Sequence, residues 1–406
     1  MKPQFSSFWA IQLTVIFQLI VSCFAIRTLA QMLSDLAKKK FIFPLSIFVF
    51  TCCCWFSNFE IAFNPGSLSI SCFIFAIWYF QKFLDTYAKK NLLFCGFFIG
   101  WMLFLRPFLG VYFVCFSFGL LIFLFQKKKT FIHILQSGFV LILPFMMMET
   151  IWVFRNYTAL NKIILLQNTY GPNDKSNEYG NHRHDKYSLQ QLRNLIFCWG
   201  GDNLWYTPNS EMTWFINAHP SQDAFNFPAY AYCNGYNKDS LILLKKDIIL
   251  SLTQSLKISQ QDSIENKIIE RVNAYTLSFK KEKPLRYYLI SPFYRLKNLV
   301  ARNVVSDWPG ESFEKSPVAF KILKLLSLGN YLFFVSIGLI FFLCFPLLKN
   351  KTPIAILVWF CLGAVLLTFA YFINFAHHSY FFTGFICCCF LTAFGIGLLS
   401  SKYNKQ

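Results

Sequence analysis

Charged side chains are scarce in this sequence. Only 14% of its 406 residues are Asp, Glu, Lys or Arg, whereas 55% are hydrophobic and 51 are Phe. A soluble globular domain devotes about a quarter of its residues to charge, because charged side chains cover its surface. The shortage of charge therefore argues against a soluble fold and indicates a protein that is solvated by lipid.

Acidic residues are fewer than basic residues. The chain has 19 Asp and Glu against 38 Lys and Arg, which gives a net charge of +19. A basic excess of this size can indicate nucleic-acid binding. Here, however, the basic residues form short clusters between apolar runs, as at Lys38–Lys40 and Lys127–Lys129. Such clusters are typical of membrane surfaces, where they orient the chain and meet anionic lipid. We therefore expect membrane lipid as a partner, and no nucleic acid.

Metal-binding spacing is also absent. None of the fourteen Cys forms a C-x-x-C pair, and no His/Cys spacing resembles a zinc site. Twelve of the Cys lie in apolar runs, where Cys behaves as a small hydrophobe. Cys198 and Cys233 lie instead in a polar segment. They could pair in an oxidising compartment, and the sequence leaves that pairing open.

A membrane-spanning helix needs about 20 mainly apolar residues. Nine segments approach or exceed this length, which predicts an all-α polytopic membrane protein with about nine transmembrane helices. Two of the segments are short enough to be half-spans, Ser67–Phe80 and Leu92–Leu105. The other predicted spans are Phe8–Leu29, Phe41–Phe56, Phe108–Phe125, Phe131–Phe154, Tyr331–Leu348, Pro353–Phe375 and Tyr380–Ser400.

Five basic clusters orient these segments. With nine spans, all five fall on one face of the membrane, which the positive-inside rule makes cytoplasmic. The polar segment Arg155–Lys324 and the N-terminus then lie outside. This predicts an N-terminal membrane domain at 1–154 with about six spans, a large mixed extracytoplasmic domain at 155–325, and a C-terminal membrane domain of three spans at 326–406. The clusters are Lys38–Lys40, Lys82 with Lys89 and Lys90, Lys127–Lys129, Lys349 with Lys351, and Lys402 with Lys405.

The residue pattern of the outer segment predicts one amphipathic helix. Asp262 and Glu265 form a capping box that predicts the start of the helix, and Pro284 predicts its end. The apolar residues between them follow helical spacing. This helix could lie on the membrane surface or pack against its own domain. The apolar positions are Ile264, Ile268, Val272, Tyr275 and Phe279.

Arg155 stands at the outer end of a predicted span, in the run Trp152-Val153-Phe154-Arg155-Asn156-Tyr157. The planar guanidinium of Arg can bind phosphate through a fork of donors. Trp, Tyr and Arg are also common as anchors at the membrane interface. The residues alone leave both interpretations open.

Three motifs follow one another along the membrane segments. Gly96–Gly100 precedes the letters LRP at 105–107, and a later span ends in IWVFRNY at 151–157. This order resembles the GT-C superfamily of multispanning glycosyltransferases, in the branch of the protein mannosyltransferases and aminoarabinose transferases. In that branch a Gly-containing span ends in a T-R-P-like motif, and P-W-x-x-R-N-Y opens the large outer loop. Ile151 replaces the usual Pro, and HHSY at 377–380 stands where the family has an E-R-Y-like motif.

The resemblance implies that Arg155 contacts the phosphate of a lipid-linked sugar and that Arg106 faces a polar pocket. The His pair at the last outer turn could bind an anionic group. A simple interfacial position for Arg106 and an exposed turn for the His pair are the alternatives. The substrate-binding residues predicted in this way are Arg106, Arg155, Asn156, His377, His378 and Tyr380.

The catalytic carboxylates of that family lie in a first outer loop, where they act as general base. This chain begins after the corresponding point, so we expect the first span and first outer loop of the family to be missing. The catalytic residue is therefore unknown, with Glu60 the nearest acidic candidate and Asp202 and Glu211 as alternatives.

The resemblance thus implies a membrane glycosyltransferase, truncated and inactive alone if the loop is missing. It would transfer a sugar from a polyprenyl-phosphate donor to a glycan, lipid or protein acceptor at the outer face of a bacterial inner membrane. No further cofactor is implied, and the sequence does not support a divalent metal. The alternatives are a lipid-linked saccharide transporter or flippase, and an oligosaccharide polymerase or ligase.

Overall fold

The computed structural model describes residues 4–51, 65–161, 163, 165, 188–199, 214–215, 227–251, 258–301, 313–348, 351–372 and 381–403. These residues are helical apart from turns and short connections, and they include no strand. A single isolated bridge joins Cys233 to Tyr236. The predicted all-α class is confirmed for this part of the chain.

The chain divides into two compact units. The first contains Met1–Asn168, Asn303–Leu366 and Phe381–Gln406, and the second contains Thr169–Arg302 and Leu367–Tyr380. The helices of the first unit are α1 (Gln4–Ala37), α2 (Ile42–Thr51), α3 (Pro65–Thr86), α4 (Lys89–Leu105), α5 (Gly110–Gln126), α6 (Phe131–Leu160), α11 (Val318–Cys344), α12 (Pro353–Leu367) and α13 (Phe382–Tyr403).

In the described part of the chain, seven helices are long and apolar enough to cross a membrane. They account for seven of the nine predicted spans and establish a multi-pass membrane protein. The other two predicted spans are shorter helices: α2 has 10 residues and α4 has 17. Helix α11 begins at Val318, well before the predicted Tyr331, because helical structure starts directly after Pro317 and continues through Lys321 and Lys324.

Glycines allow several of these helices to approach closely. A Cβ at Gly338 of α11 would lie 2.4 Å from the Cβ of Cys388 on α13, and a Cβ at Gly397 of α13 would lie 2.4 Å from the backbone oxygen of Leu36 on α1. Small residues of this kind are typical of helix contacts in membranes, where lipid offers no hydrophobic drive for association. The contacts are therefore made by backbone-to-backbone packing.

A buried side-chain hydrogen bond joins two helices of the first unit. The hydroxyl of Tyr112 on α5 donates to Thr383 Oγ1 at 2.5 Å, and both side chains are buried. Buried polar groups need such partners, since water is excluded from them. The bond ties α5 to α13, which are distant in the sequence.

The second unit has its own hydrophobic core. Its helices are α7 (Ser188–Trp199), α8 (Lys238–Ser251), α9 (Ile258–Glu282) and α10 (Ser291–Ala301), with a π-helical turn at Arg286–Ile290. The core includes Trp199, Trp214 and Phe215. The structure thus gives the polar segment a packed interior of helices wherever it describes that segment.

Helix α9 is the amphipathic helix predicted from the capping box. Its start differs from the prediction: the helix begins at Ile258, so Asp262 and Glu265 lie inside it and do not cap its N-terminus. It ends at Glu282, two residues before Pro284, as predicted. Its apolar face is fully inside the second unit: Ile268, Val272, Tyr275 and Phe279 have at most 1% of their surface exposed. Of the two roles that the sequence left open, packing against its own domain is the one observed.

The two cysteines of the polar segment are both free thiols in this structure. Cys198 lies at the end of α7 and is buried, and its Sγ donates to the backbone oxygen of Asn194 at 3.1 Å. Cys233 lies in the turn before α8 and is partly exposed. Burial raises the pKa of the Cys198 thiol to about 12, so this thiol stays protonated at neutral pH.

Candidate functional site

The Gly-containing segment of the first motif is the contact surface between α4 and α6. A Cβ at Gly96 would lie 2.1 Å from the backbone oxygen of Leu141, and a Cβ at Gly100 would lie 3.2 Å from the Cα of Phe145. Both glycines therefore admit the backbone of α6. Because Gly96 meets Leu141 and Gly100 meets Phe145, the two helices run parallel.

The same contact continues to the C-terminal ends of the two helices. The ring of Phe104 on α4 lies 6.1 Å from that of Phe145 and 6.3 Å from that of Trp152, measured between centroids. Arg106 ends α4 in an extended conformation (φ −148°, ψ 96°), as expected of a residue before proline. The two predicted motifs, around Arg106 and Trp152, are thus brought to the same end of one helix pair.

Trp152, Arg155 and Asn156 form a connected group on the last turns of α6. The Arg155 guanidinium carbon lies 5.3 Å from the centroid of the Trp152 ring. Arg155 Nη1 donates to Asn156 Oδ1 at 3.3 Å. Arg155 is exposed, whereas Asn156 has 3% of its surface exposed. The hydrogen bond occupies the amide oxygen and leaves the amide nitrogen of Asn156 to donate elsewhere.

Two buried N–H donors remain in this group. Trp152 Nε1 and Asn156 Nδ2 are both buried and have no hydrogen-bond partner among the residues that the structure describes. A spacing of four residues places them on one face of α6. A buried donor without a partner costs about 1–3 kcal/mol, and an anion is the ligand that such donors favour beside a guanidinium.

Glu149 is a further charged residue on this face, one turn before Trp152. It is partly buried, within the candidate span Phe131–Ala159. A carboxylate inside a membrane-spanning segment is costly and commonly functional. The sequence already carries this signal, because Glu149 is an acid inside an apolar run, although it belongs to none of the three motifs.

The remaining predicted site residues lie outside the described part of the chain. These are Glu60, the catalytic candidate, together with the predicted anion-binding residues His377 and His378 and their neighbour Tyr380. Asp202 and Glu211 lie outside it as well. Of the predicted set, the structure therefore describes Arg106, Arg155 and Asn156. Within the described residues, no group of three or more His, Cys, Asp or Glu could hold a metal ion.

Comparison of this chain with protein-family models, curated proteins and solved structures finds no match. The proposed function therefore depends on the chemistry of the site's own residues. That chemistry is an exposed guanidinium, two buried N–H donors and a second arginine, at one end of a tightly packed pair of membrane helices.

Proposed function

We propose that this chain is a membrane glycosyltransferase that uses a polyprenyl-phosphate-linked sugar, and that the end of the α4–α6 pair binds the phosphate. The observation that supports this is the pair of buried donors, Trp152 Nε1 and Asn156 Nδ2, beside the guanidinium of Arg155. A phosphate oxygen placed against these donors would satisfy both and offset the charge of Arg155.

The proposed chemistry needs a site of this kind. In a single displacement, an acceptor hydroxyl bonds to the anomeric carbon while the bond from that carbon to the lipid phosphate breaks, and a general base takes the hydroxyl proton. Negative charge increases on the leaving phosphate, and the anomeric centre inverts. Donors held in place before the reaction stabilise that charge without reorganisation. The hydrogen bond from Arg155 to Asn156 and the position of Arg155 over Trp152 hold the group in place.

We propose that α2 and α4 complete a membrane domain of nine spans, with the end of α6 that carries Arg155 outside the bacterial inner membrane. The support is the position of the basic clusters, which fall on one face if the chain has nine spans. The acceptor would then be an extracytoplasmic glycan, lipid or protein.

Binding of undecaprenyl phosphate by the purified full chain tests the phosphate site. Undecaprenol, which has the same hydrocarbon and no phosphate, is the matched ligand, and native mass spectrometry in detergent measures both. We expect the phosphate to bind at least tenfold more tightly. The variant Arg155→Gln should lose that preference, because a charge-assisted hydrogen bond contributes about 1.5–3 kcal/mol.

The control variant is Arg27→Gln, which removes an exposed arginine from α1 and should keep the preference. Equal binding of the phosphate and the alcohol by the unmodified chain would contradict the proposal. Transfer of labelled sugar from a panel of polyprenyl-phosphate sugars then tests the reaction itself. Phosphate binding without transfer from any of them would retain the site and reject transferase activity by this chain alone.

A further inference from the structure

Part of the second unit lies at the end of a membrane span. The candidate span Pro353–Phe372 has 20 residues, and at about 1.5 Å per residue these cover roughly 30 Å, the thickness of the hydrocarbon core of a bilayer. Its last residues, Thr368–Phe372, form a π-helical turn that belongs to the second unit. This turn therefore lies where the hydrocarbon ends and the lipid head groups begin.

This end of the span is bound to α10 and to the π-helical turn that precedes α10. The buried Arg295 of α10 donates from Nη1 to the backbone oxygen of Ala370 at 2.9 Å. The hydroxyl of Tyr371 donates to the backbone oxygen of Tyr288, in the Arg286–Ile290 turn, at 3.2 Å. All four residues belong to the second unit. The two hydrogen bonds therefore fix α10 and its preceding turn at the level where the span ends.

The exposed surface of this segment carries a row of large apolar side chains. Leu285, Leu289 and Phe293, here called the apolar row, follow one another at a spacing of four residues, with 62%, 59% and 67% of their surfaces exposed. Side chains at this spacing lie on one face of a helix. Another face of α10 is packed, because Ser291 and Leu299 are fully buried. Exposed apolar residues that are grouped in this way mark contacts with protein or with membrane.

Tyrosines and lysines border the apolar row. Tyr288 and Tyr294 adjoin it in the sequence and are both exposed. The ammonium of Lys280 lies 5.4 Å from the centroid of the Tyr288 ring, and that of Lys297 lies 5.7 Å from the centroid of the Tyr294 ring. Residues 280–297 contain six Lys and Arg residues against one acid. Tyr is enriched at the level of lipid head groups, and basic residues on an interfacial helix are attracted to anionic lipid.

Lipid fits this surface better than a protein partner does. The apolar row already lies at the level where the span ends, so its side chains can leave water for hydrocarbon without any rearrangement of the chain. Removing Leu and Phe side chains from water is favourable in proportion to the apolar area that is covered. The lysines at the border complement the phosphate groups of anionic phospholipid. A protein partner would need an apolar groove with an acidic rim at the same depth.

We propose that the apolar row inserts into the membrane interface and that Lys280 and Lys297 pair with the phosphate groups of anionic phospholipid. The segment then lies on the membrane as an interfacial amphipathic helix does, and it ties the second unit to lipid. This contact does not depend on the proposed glycosyltransferase function, because it involves none of the residues of the α4–α6 site.

Photocrosslinking to lipid tests this contact in the full chain. The purified protein is placed in nanodiscs of dioleoyl phosphatidylcholine and dioleoyl phosphatidylglycerol that contain a phosphatidylglycerol probe with a diazirine near its head group. Mass spectrometry of peptides measures the yield of lipid adducts at each segment. The matched reference is Leu243 of α8, which is 55% exposed on a face that also carries the exposed charges of Asp239 and Lys246. We expect at least about tenfold more adduct at the apolar row than at Leu243.

Variants of the apolar row assign the adducts to its side chains. Leu289→Ser and Phe293→Ser change exposed residues, so the fold should be kept. The double variant should lower the adduct yield at this segment about tenfold, because its side chains gain little from leaving water. Leu243→Ser is the matched control and should leave that yield unchanged.

Variants of the lysines test the charge of the lipid. The unmodified chain should give more adduct with the phosphatidylglycerol probe than with a phosphatidylcholine probe that carries the same diazirine. Lys280→Gln combined with Lys297→Gln should abolish this preference, since both ammonium groups are removed. Lys246→Gln, which changes an exposed lysine of α8, is the control and should keep it.

Three results would overturn the proposal. The first is an equal yield of adducts at the apolar row and at Leu243 in the unmodified chain, which needs no variant to fold. The second is an unchanged yield in a folded double variant of Leu289 and Phe293. The third is an absence of lipid adducts at the row together with a dimer that the same double variant dissociates, which would assign the row to a second copy of the chain.

Discussion

Substitution of Gly96 by Ala tests whether the close approach of α4 and α6 builds the candidate site. The added Cβ would lie 2.1 Å from the backbone oxygen of Leu141, about 1.3 Å short of the 3.4 Å at which ordinary van der Waals contact begins. The obstructing atom is backbone and cannot rotate away. The two helices must therefore separate, or α6 must distort locally.

We expect Gly96→Ala to lower the free energy of unfolding by about 1–3 kcal/mol, the usual cost of overpacking. Separation would also displace Phe104 from Trp152, whose rings are 6.3 Å apart, so binding of undecaprenyl phosphate should weaken. Unfolding of the full chain in mixed micelles of non-ionic detergent and dodecyl sulfate measures the first effect. Native mass spectrometry measures the second.

Gly138→Ala is the matched control, because Gly138 also lies in α6 and a Cβ there meets nothing within 4 Å. This control should be neutral or slightly stabilising, since Ala favours helix over Gly. If Gly96→Ala were as stable as Gly138→Ala and bound the phosphate equally well, the packing argument for the site would be refuted.

Four further predictions concern the rest of the molecule. Gly338→Ala should destabilise the α11–α13 contact, because the new Cβ would lie 2.4 Å from the Cβ of Cys388. Gly329→Ala in the same helix should be tolerated, because a Cβ there meets nothing within 4 Å. Unfolding in mixed micelles compares the stability of the two variants. Tyr112→Phe removes the hydrogen bond to Thr383 and should lower the free energy of unfolding by about 0.5–1.5 kcal/mol in the same assay. An unchanged free energy of unfolding would contradict a contribution from that bond. Cys198, whose pKa burial raises to about 12, should react with maleimide far more slowly than Cys233 at pH 8, as peptide mapping will show. Equal labelling rates of the two thiols would contradict the burial of Cys198. In the unfolded chain the Cys198 thiol loses its proton above its ordinary pKa of 9.0, whereas in the folded chain it keeps that proton up to about pH 12. The contribution of Cys198 to the free energy of unfolding should therefore fall as the pH rises from about 9 to 12.

The membrane class and the positions of the helices followed from local features of the sequence. In lipid every backbone polar group must be satisfied within the segment, so a long apolar run becomes a helix irrespective of its neighbours. Helices α5, α6 and α13 accordingly lie close to their predicted bounds. The start of α11 differed, because Lys321 and Lys324 interrupt the apolar pattern without interrupting the helix.

The motifs predict Arg106, Arg155 and Asn156 as substrate-binding residues, and that role stays a prediction. The structure adds that the two motifs lie at one end of the α4–α6 pair. The sequence could not show that Arg155 takes the amide oxygen of Asn156, or that Asn156 Nδ2 and Trp152 Nε1 remain buried without a described partner. Those facts depend on which atoms surround each donor after the helices pack.

The sequence by itself determined that this is a multi-pass, helical membrane protein, because hydrophobic length and helix formation are properties of contiguous residues. Tertiary structure decided which polar groups meet. It placed the inner face of α9 in the core of the second unit, and it joined Arg295 of α10 to Ala370 at the end of a membrane span. Hydrogen bonding and charge act over a few ångströms in space, and residues 75 positions apart come within that range only through packing.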